Sequence, residues 1–261
     1  LLNKEVNNIE ELLKSYAPIR GHNIAKTGIE AAFWHLKSQE EEKPLWALWG
    51  GIRKEVEAGI SLGLEKTVDE IIFKVERALS KGYKRIKIKI RPGMDVNVAK
   101  AVRGKFGDIS MMLDANSAYQ LQDLSVFKEL DQFNLLMIEQ PLGYDDIIDH
   151  AKLQKELKTP ICLDESIHGV EDARKAIDIG ACRIINIKPP RVGGFWQAKL
   201  ISELCEKNDI PVWCGGLLET GWGKAFNVHI NSLPNFKLAG DTSGSDAYYT
   251  EDVIEPLMAV K

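Results

Sequence analysis

Five short apolar runs in this chain each end in an ionisable residue, and the endings recur at almost constant spacing. They are Lys89, Asp114, Glu139, Asp164 and Lys188, which gives intervals of 25, 25, 25 and 24 residues. An interval of that size holds one strand, one helix and their loops, the unit of a parallel α/β barrel of roughly 250 residues. The first run, Arg85-Ile86-Lys87-Ile88-Lys89-Ile90-Arg91, alternates strictly between charged and apolar. In a strand, that alternation puts the four cations on one face and the three isoleucines on the other. Taken alone, it would describe a wet antiparallel strand. In a parallel barrel, helices cover the outside and side chains fill the inside, so neither face is wet. Lysines pointing inward are then costly unless a partner or a reaction uses them.

The rest of the chain fits the same repeat. Val56 to Ser61 reads as a first strand, and Thr67 as the N-cap of a helix that ends near Gly82. Further helices are expected at about 95–106, 122–132, 146–157, 170–180, 195–208 and 221–231. Pro211 to Cys214 gives a seventh strand, stopped by Gly215-Gly216, and Phe236 to Ala239 an eighth. The expected barrel therefore has eight strands and seven intervening helices. Ahead of it, residues 1 to about 50 read as helices, with Ile9, Leu12 and Leu13 on one face and Ile29, Ala32, Phe33 and Leu36 on another. Trp34, Trp46 and Trp49 are expected to pack these helices, and Gly50-Gly51 marks the junction. Residues after Ala247 read as the start of an excursion away from the barrel.

Composition excludes several classes. At 44% apolar and 28% charged, with a formal charge of −4, the chain is an ordinary globular protein without the basic patch of a nucleic-acid binder. Cys162, Cys182, Cys205 and Cys214 form no CxxC pair and read as reduced thiols of a cytoplasmic protein. No apolar run approaches the roughly 20 residues of a membrane span, and there is no signal-peptide pattern. The chain begins at Leu1 rather than methionine, which reads as a fragment or a processed chain.

The strand ends carry the chemistry. Asp114, Glu139 and Asp164 fall on three successive strands at one rim. Oxygen ligands without a histidine cluster suit a hard cation, Mg²⁺ or Mn²⁺, and Mg²⁺ keeps sites for water and a substrate carboxylate. Any one of these acids alone would more simply cap a helix or pair with a cation; their regular spacing argues for a shared site. Lys89 and Lys188 would face each other across it. A lysine acts as a base near pH 7 only if its pKa falls from about 10.4 to about 7, a differential interaction of about 4 kcal/mol. Burial, Lys87 on the same face and a nearby divalent ion would all push that way. The reaction this suits is removal of a proton α to a carboxylate.

These residues resemble the enolase superfamily. The resemblance rests on Lys87-Ile88-Lys89, Leu113-Asp114-Ala115-Asn116, Ile138-Glu139-Gln140-Pro141, Leu163-Asp164-Glu165-Ser166 and Asn186-Ile187-Lys188-Pro189, which match its muconate-lactonizing subgroup. Arg191-Val192-Gly193-Gly194, Trp213-Cys214-Gly215-Gly216-Leu217-Leu218-Glu219-Thr220-Gly221 and Gly240-Asp241-Thr242-Ser243 look like its o-succinylbenzoate synthase / N-succinylamino acid racemase branch. The resemblance implies a (β/α)7β barrel with a partial, mainly helical cap at 1–50, a catalytic barrel at 51–246 and a tail toward the cap at 247–261. It implies Mg²⁺ on Asp114, Glu139 and Asp164, Lys89 and Lys188 as the acid/base pair, and Lys87 in support. Ser61, Asn116, Gly216 and Glu219 are expected to touch a small carboxylate substrate, and a homo-oligomer is expected. The resemblance implies cap strands ahead of the helices and a C-terminal return, and neither is expected within residues 1–261.

Synthase and racemase would use the same residues: one base for elimination, both lysines for racemisation. The synthase, serving menaquinone synthesis, is the favoured expectation. A dipeptide epimerase would place two aspartates close together after the eighth strand, whereas Asp241 and Asp246 are well separated. A mandelate-type racemase would need a histidine where Trp213-Cys214-Gly215 stands. His168 reads as a loop residue. Glu219 faces the substrate or caps the next helix, with neither reading preferred. The contrasting class is a truncated, catalytically impaired metal-binding barrel.

Overall fold

The structure, a computed structural model, describes residues 5–261, so the first four residues of the expected helical segment lie outside the described residues. Three helices come first: α1 (Ile9–Tyr16), α2 (Asn23–Glu40) and α3 (Leu45–Trp49). Strands and helices then alternate as β1 (Gly59–Leu62), α4 (Val68–Ser80), β2 (Arg85–Lys89), α5 (Val96–Phe106), β3 (Met111–Asp114), α6 (Leu124–Leu130), β4 (Ile138–Glu139) and α7 (Ile148–Glu156). The series continues with β5 (Ile161–Leu163), α8 (Val170–Asp178), β6 (Ile184–Ile187), α9 (Pro189–Val192), α10 (Phe195–Lys207), β7 (Val212–Cys214) and α11 (Gly221–Ile230). The seven strands form one sheet in chain order, and every pairing is parallel. Each connection is a helical crossover, as parallel neighbours require. Among the described residues, no helix is long and apolar enough to cross a membrane.

Local chemistry sets the boundaries. Thr67 and Glu70 form a reciprocal cap at the start of α4: the Thr67 hydroxyl accepts from Glu70 N at 3.2 Å, and the Glu70 carboxylate accepts from Thr67 N at 3.0 Å. In the sheet, alternation sends side chains into two separate apolar clusters. Ile86, Ile88, Leu113, Ile138, Ile161 and Ile185 join the large cluster with the helices. Met112, Met137, Cys162, Ile184 and Trp213 make a smaller one on the other face. Fully burying a side chain of this size is worth about 1.5–3 kcal/mol. Two residues beyond a member of that plug, on the same face, come Asp114, Glu139, Asp164 and Asn186.

Three expectations need correction. Phe236 to Ala239 is not a strand; within it Phe236 makes an isolated parallel bridge to Val212, and the next residue, Gly240, makes another to Ala58 at the other edge of the sheet. The reason is competition: Arg53 Nη1 takes the Phe236 carbonyl at 3.1 Å and Arg85 Nε takes that of Ala239 at 2.7 Å. The expected helix at 122–132 is a short α6 between two 3₁₀ turns, and a four-residue helix, α9, was not expected. The segment after Ala247 first folds back on the chain before it. Met258 O accepts from Ser245 N at 2.9 Å, and Val260 packs on the large cluster. The packed face of α2 is also different: Ile29 and Leu36 are exposed, while Thr27, Glu30, Ala31 and Trp34 are buried. Trp34 and Trp49 do pack, with Trp49 stacked on Phe195 at 5.0 Å, whereas Trp46 is only half-buried.

Glu30 explains that face. Its Oε1 accepts from Trp34 Nε1 at 2.9 Å and from Trp196 N, in the first turn of α10, at 2.7 Å. Its Oε2 is buried without a partner and lies against Gly194, where a Cβ would collide with it. Gly194 also has φ +136°, a conformation open to glycine. Burial pushes the Glu30 carboxyl from 4.5 up to about 7, against the pull of its N–H partners. A raised carboxyl favours the folded state fully below about pH 4.5, and that advantage is lost as pH rises through 7. Glu30→Gln keeps the acceptor and removes the titration. We expect it to raise unfolding free energy at pH 8 by on the order of 1–3 kcal/mol, with little effect near pH 4.5, in urea titrations. Parallel pH profiles for the two proteins would contradict this.

Candidate active site

A cavity of about 380 Å³ opens at the carboxyl ends of the strands. Of the ten residues singled out from sequence, Ser61, Lys87, Lys89, Asp114, Asn116, Lys188, Gly216 and Glu219 line it. Glu139 and Asp164 do not; both are fully buried and touch the lysines that do. A second cavity, of about 350 Å³ between β1 and α4, shares Ser61 and Tyr248 with the first but lacks the lysine–carboxylate cluster.

Lys87 is the hub. Its Nζ lies 2.9 Å from Asp241 Oδ2, 3.2 Å from Glu139 Oε2 and 3.7 Å from Asp114 Oδ2. Burial would depress its pKa, but Asp241, Glu139 and Asp114 outweigh this and hold it well above the ordinary lysine value. Beneath it, Arg85 donates to Asp241 Oδ1 at 2.5 Å and, like Lys87, sits over the Trp213 ring. Gly59 makes the room: a Cβ there would stand 2.6 Å from Arg85 Cζ. Burial would raise Asp241, but Lys87 and Arg85 keep it well below the carboxylate range. Glu139 moves the other way, raised by burial and by Asp114.

The two expected bases sit in different settings. Lys89, at the end of β2, donates to Asn116 Oδ1 at 2.7 Å; Asn116 also donates to Glu165 Oε1 at 3.1 Å. Asn116 thus holds a lysine as well as lining the cavity. Lys188, just past β6, donates to Asp164 Oδ2 at 2.6 Å, and Arg191 bonds the other oxygen of Asp164. Burial would lower Lys188, but Asp164 prevails and raises it. The expected depression of both lysines is therefore overturned at Lys188, because the carboxylate is in direct contact. Glu219 does not cap α11. It accepts from Leu217 N at 2.8 Å within its own loop, and Asp252 accepts from Gly221 N at the start of the helix. His168 lies on a loop near Tyr144 and Asp172, outside the cavity lining.

The family described as enolase C-terminal domain-like matches residues 70–261. An o-succinylbenzoate synthase from Geobacillus kaustophilus is 51% identical over 260 residues, covering 100% of this chain and 69% of that protein. An N-succinylamino acid racemase from Thermus thermophilus is 48% identical over 261 residues, covering 100% of this chain and 71% of that one. A solved enolase-superfamily member from Listeria innocua superposes with TM-score 0.95 at 40% identity, covering 100% of this chain and 72% of that one. This chain belongs to the enolase superfamily.

Sequence reasoning assigned no role to four residues that this enolase-superfamily site uses. Asp241 neutralises Arg85 and Lys87 together. Asn186 donates to Glu139 Oε1 at 2.6 Å, and its place on β6 two residues before Lys188 was the available signal. Arg191 pairs with Asp164 and lines the cavity. Gln140 accepts from Asp164 N at 2.9 Å and donates to Ser166 Oγ at 2.6 Å, which ties the ends of β4 and β5 together.

Among the described residues, no three His, Cys, Asp or Glu side chains are arranged to hold a metal ion as they stand. Asp114, Glu139 and Asp164 are paired with Lys87, Lys188 and Arg191. The donors nevertheless fit a hard cation. All are oxygens, and buried Glu139 Oε2 has the Lys87 ammonium 3.2 Å away but no well-aligned hydrogen bond. Asp241→Asn should unfold the protein more easily by about 3 kcal/mol or more, because Arg85 and Lys87 lose their shared counter-charge. A loss below about 1 kcal/mol in urea titration would contradict that dependence.

Proposed function

We propose that this protein is an o-succinylbenzoate synthase, which removes water from 2-succinyl-6-hydroxy-2,4-cyclohexadiene-1-carboxylate to give 2-succinylbenzoate in menaquinone synthesis. The observation that carries the reading is that Lys89 from β2 and Lys188 from the end of β6 line one cavity, supported by the relatives named above. We read the curled sheet, bridged at both edges by 236–240, as a (β/α)7β barrel over 51–246. In that reading 1–50 is the helical part of a cap and 247–261 a tail serving it. We further read the protein as cytoplasmic and homo-oligomeric.

In this mechanism the Lys89 amine, oriented by Asn116, takes the proton α to the carboxylate. The electron pair stays on the substrate as an ene-diolate, hydroxide then leaves the adjacent carbon and takes the proton back from the Lys89 ammonium as water, and the ring becomes aromatic. Lys188, kept as an ammonium by Asp164, steadies the developing charge from the opposite wall. Lys87, in the cavity lining, supports the two lysines from the wall between them and the carboxylates. Asp114, Glu139 and Asp164 would hold Mg²⁺ or Mn²⁺, which when bound would offset the charge of the substrate carboxylate and its ene-diolate. Ser61, Gly216 and Glu219 would contact the substrate at the cavity wall.

A second reading, N-succinylamino acid racemase, is favoured by the same pair of lysines and by the Thermus relative. Here one lysine removes the α-proton and the other returns one to the opposite face. In D₂O, Lys89→Ala and Lys188→Ala should abolish α-deuterium exchange from opposite enantiomers of an N-succinyl amino acid. Lys89→Ala should also lower dehydration by about a hundredfold or more. Near-wild-type dehydration by Lys89→Ala would remove it as the base. Asp164→Asn should weaken Mg²⁺ binding by calorimetry, and unchanged affinity would remove it as a ligand.

A further inference from the structure

Lys188 leads straight into a connection that the sheet does not hold. After β6 the chain runs through α9 and Gly193-Gly194 into α10. Its internal bonds are local: Lys188 O accepts from Arg191 N at 2.9 Å and Val192 N at 3.1 Å, and Pro189 O accepts from Gly193 N at 3.1 Å and Gly194 N at 2.9 Å. A four-residue helix followed by two glycines at positive φ is a weak support for a side chain that must meet a carbon atom.

The missing support comes from α2, far away in sequence. Asn23 Nδ2 donates to Arg191 O at 2.7 Å and reaches His168 O, beyond β5, at 3.4 Å. The Thr27 hydroxyl lies 3.2 Å from Pro189 O, sharing its proton with Asn23 O at 2.9 Å. Glu30 accepts from Trp196 N at 2.7 Å. Positions 23, 27 and 30 stand at i, i+4 and i+7, one face of one helix. They grip the connection at Pro189, Arg191 and Trp196. This is the buried face that apolar periodicity failed to mark, because its gripping groups are polar.

We propose that Asn23 and Thr27 are positioning residues, which brace the β6–α10 connection and so fix where Lys188 presents its amine. The proposal rests on the reading of Lys188 as one of two opposed acid/base groups. Lys188 must release Asp164 or share it during turnover, so its side-chain partner cannot fix its position throughout; the backbone brace can. Thr27 is 5% exposed, and Asn23 is half-buried, so neither needs to touch substrate.

The test compares the wild type, Asn23→Ala/Thr27→Val, Thr27→Ser and Lys188→Ala in D₂O, with both enantiomers of N-succinylalanine. Each exchange event is balanced: an amine takes the α-proton, trades it with solvent and returns a deuteron. The enantiomer whose exchange Lys188→Ala abolishes reports the Lys188 face. On that enantiomer the double variant should be slower by about tenfold or more, with the other within about twofold, and Thr27→Ser should match the wild type. Amide exchange followed by mass spectrometry should show lost protection at Arg191–Gly194 and none lost in β7. Equal slowing of both enantiomers, no slowing, or unchanged amide protection at Arg191–Gly194 would overturn the brace. If Lys188→Ala leaves both enantiomers exchanging, or the wild type exchanges neither, the catalytic reading fails instead, and the proposal with it.

Discussion

An ammonium sealed inside a parallel sheet needs counter-charge, and Lys87 finds it on Asp241, Glu139 and Asp114. Removing any such charge from water costs several kcal/mol unless its partners are close and well placed. The cluster meets that demand with four cations (Arg85, Lys87, Lys188, Arg191) against four carboxylates (Asp114, Glu139, Asp164, Asp241). Near-neutrality lets so many ionisable groups share one wall. It also leaves their individual tendencies opposed: Asp164 and Asp241 are lowered, while Glu139 is raised.

The strand period then decides where the chemistry goes. Met112, Met137, Cys162, Ile184 and Trp213 plug the inside of the sheet. The residue two places on is lifted one layer above the plug, and there the chain carries Asp114, Glu139, Asp164, Asn186 and, after Trp213, Gly215. A glycine in the last place makes room for Asn186 and Lys188, whose side chains fill the space a Cβ would take. The apolar layer lies below, and the charged residues above it line the cavity.

This layering was legible in the chain. The alternation of residues 85–91 and the 25-residue interval identify one face and one rim, and seven strands in chain order follow. What was not legible depends on partners far apart in sequence. Nothing around Arg85 announces Asp241, 156 positions away. The eighth strand reads well as a string, but two arginines occupy carbonyls that its ladder would need. In α2, Ile29 and Leu36 gave the stronger helical pattern, yet the packed face is chosen by Glu30 meeting the first turn of α10. Periodicity counts apolar residues, and it cannot see a face held by hydrogen bonds.

The proposed reaction requires Asp114, Glu139 and Asp164 to act as one oxygen site for a hard cation, set between two lysines. Anomalous diffraction from crystals grown with Mn²⁺ tests this most directly. We predict one strong peak bonded to oxygens of all three side chains, with Lys188 or Arg191 drawn off Asp164. An empty site, with Lys87 and Lys188 still paired to the same carboxylates at saturating Mn²⁺, would contradict it.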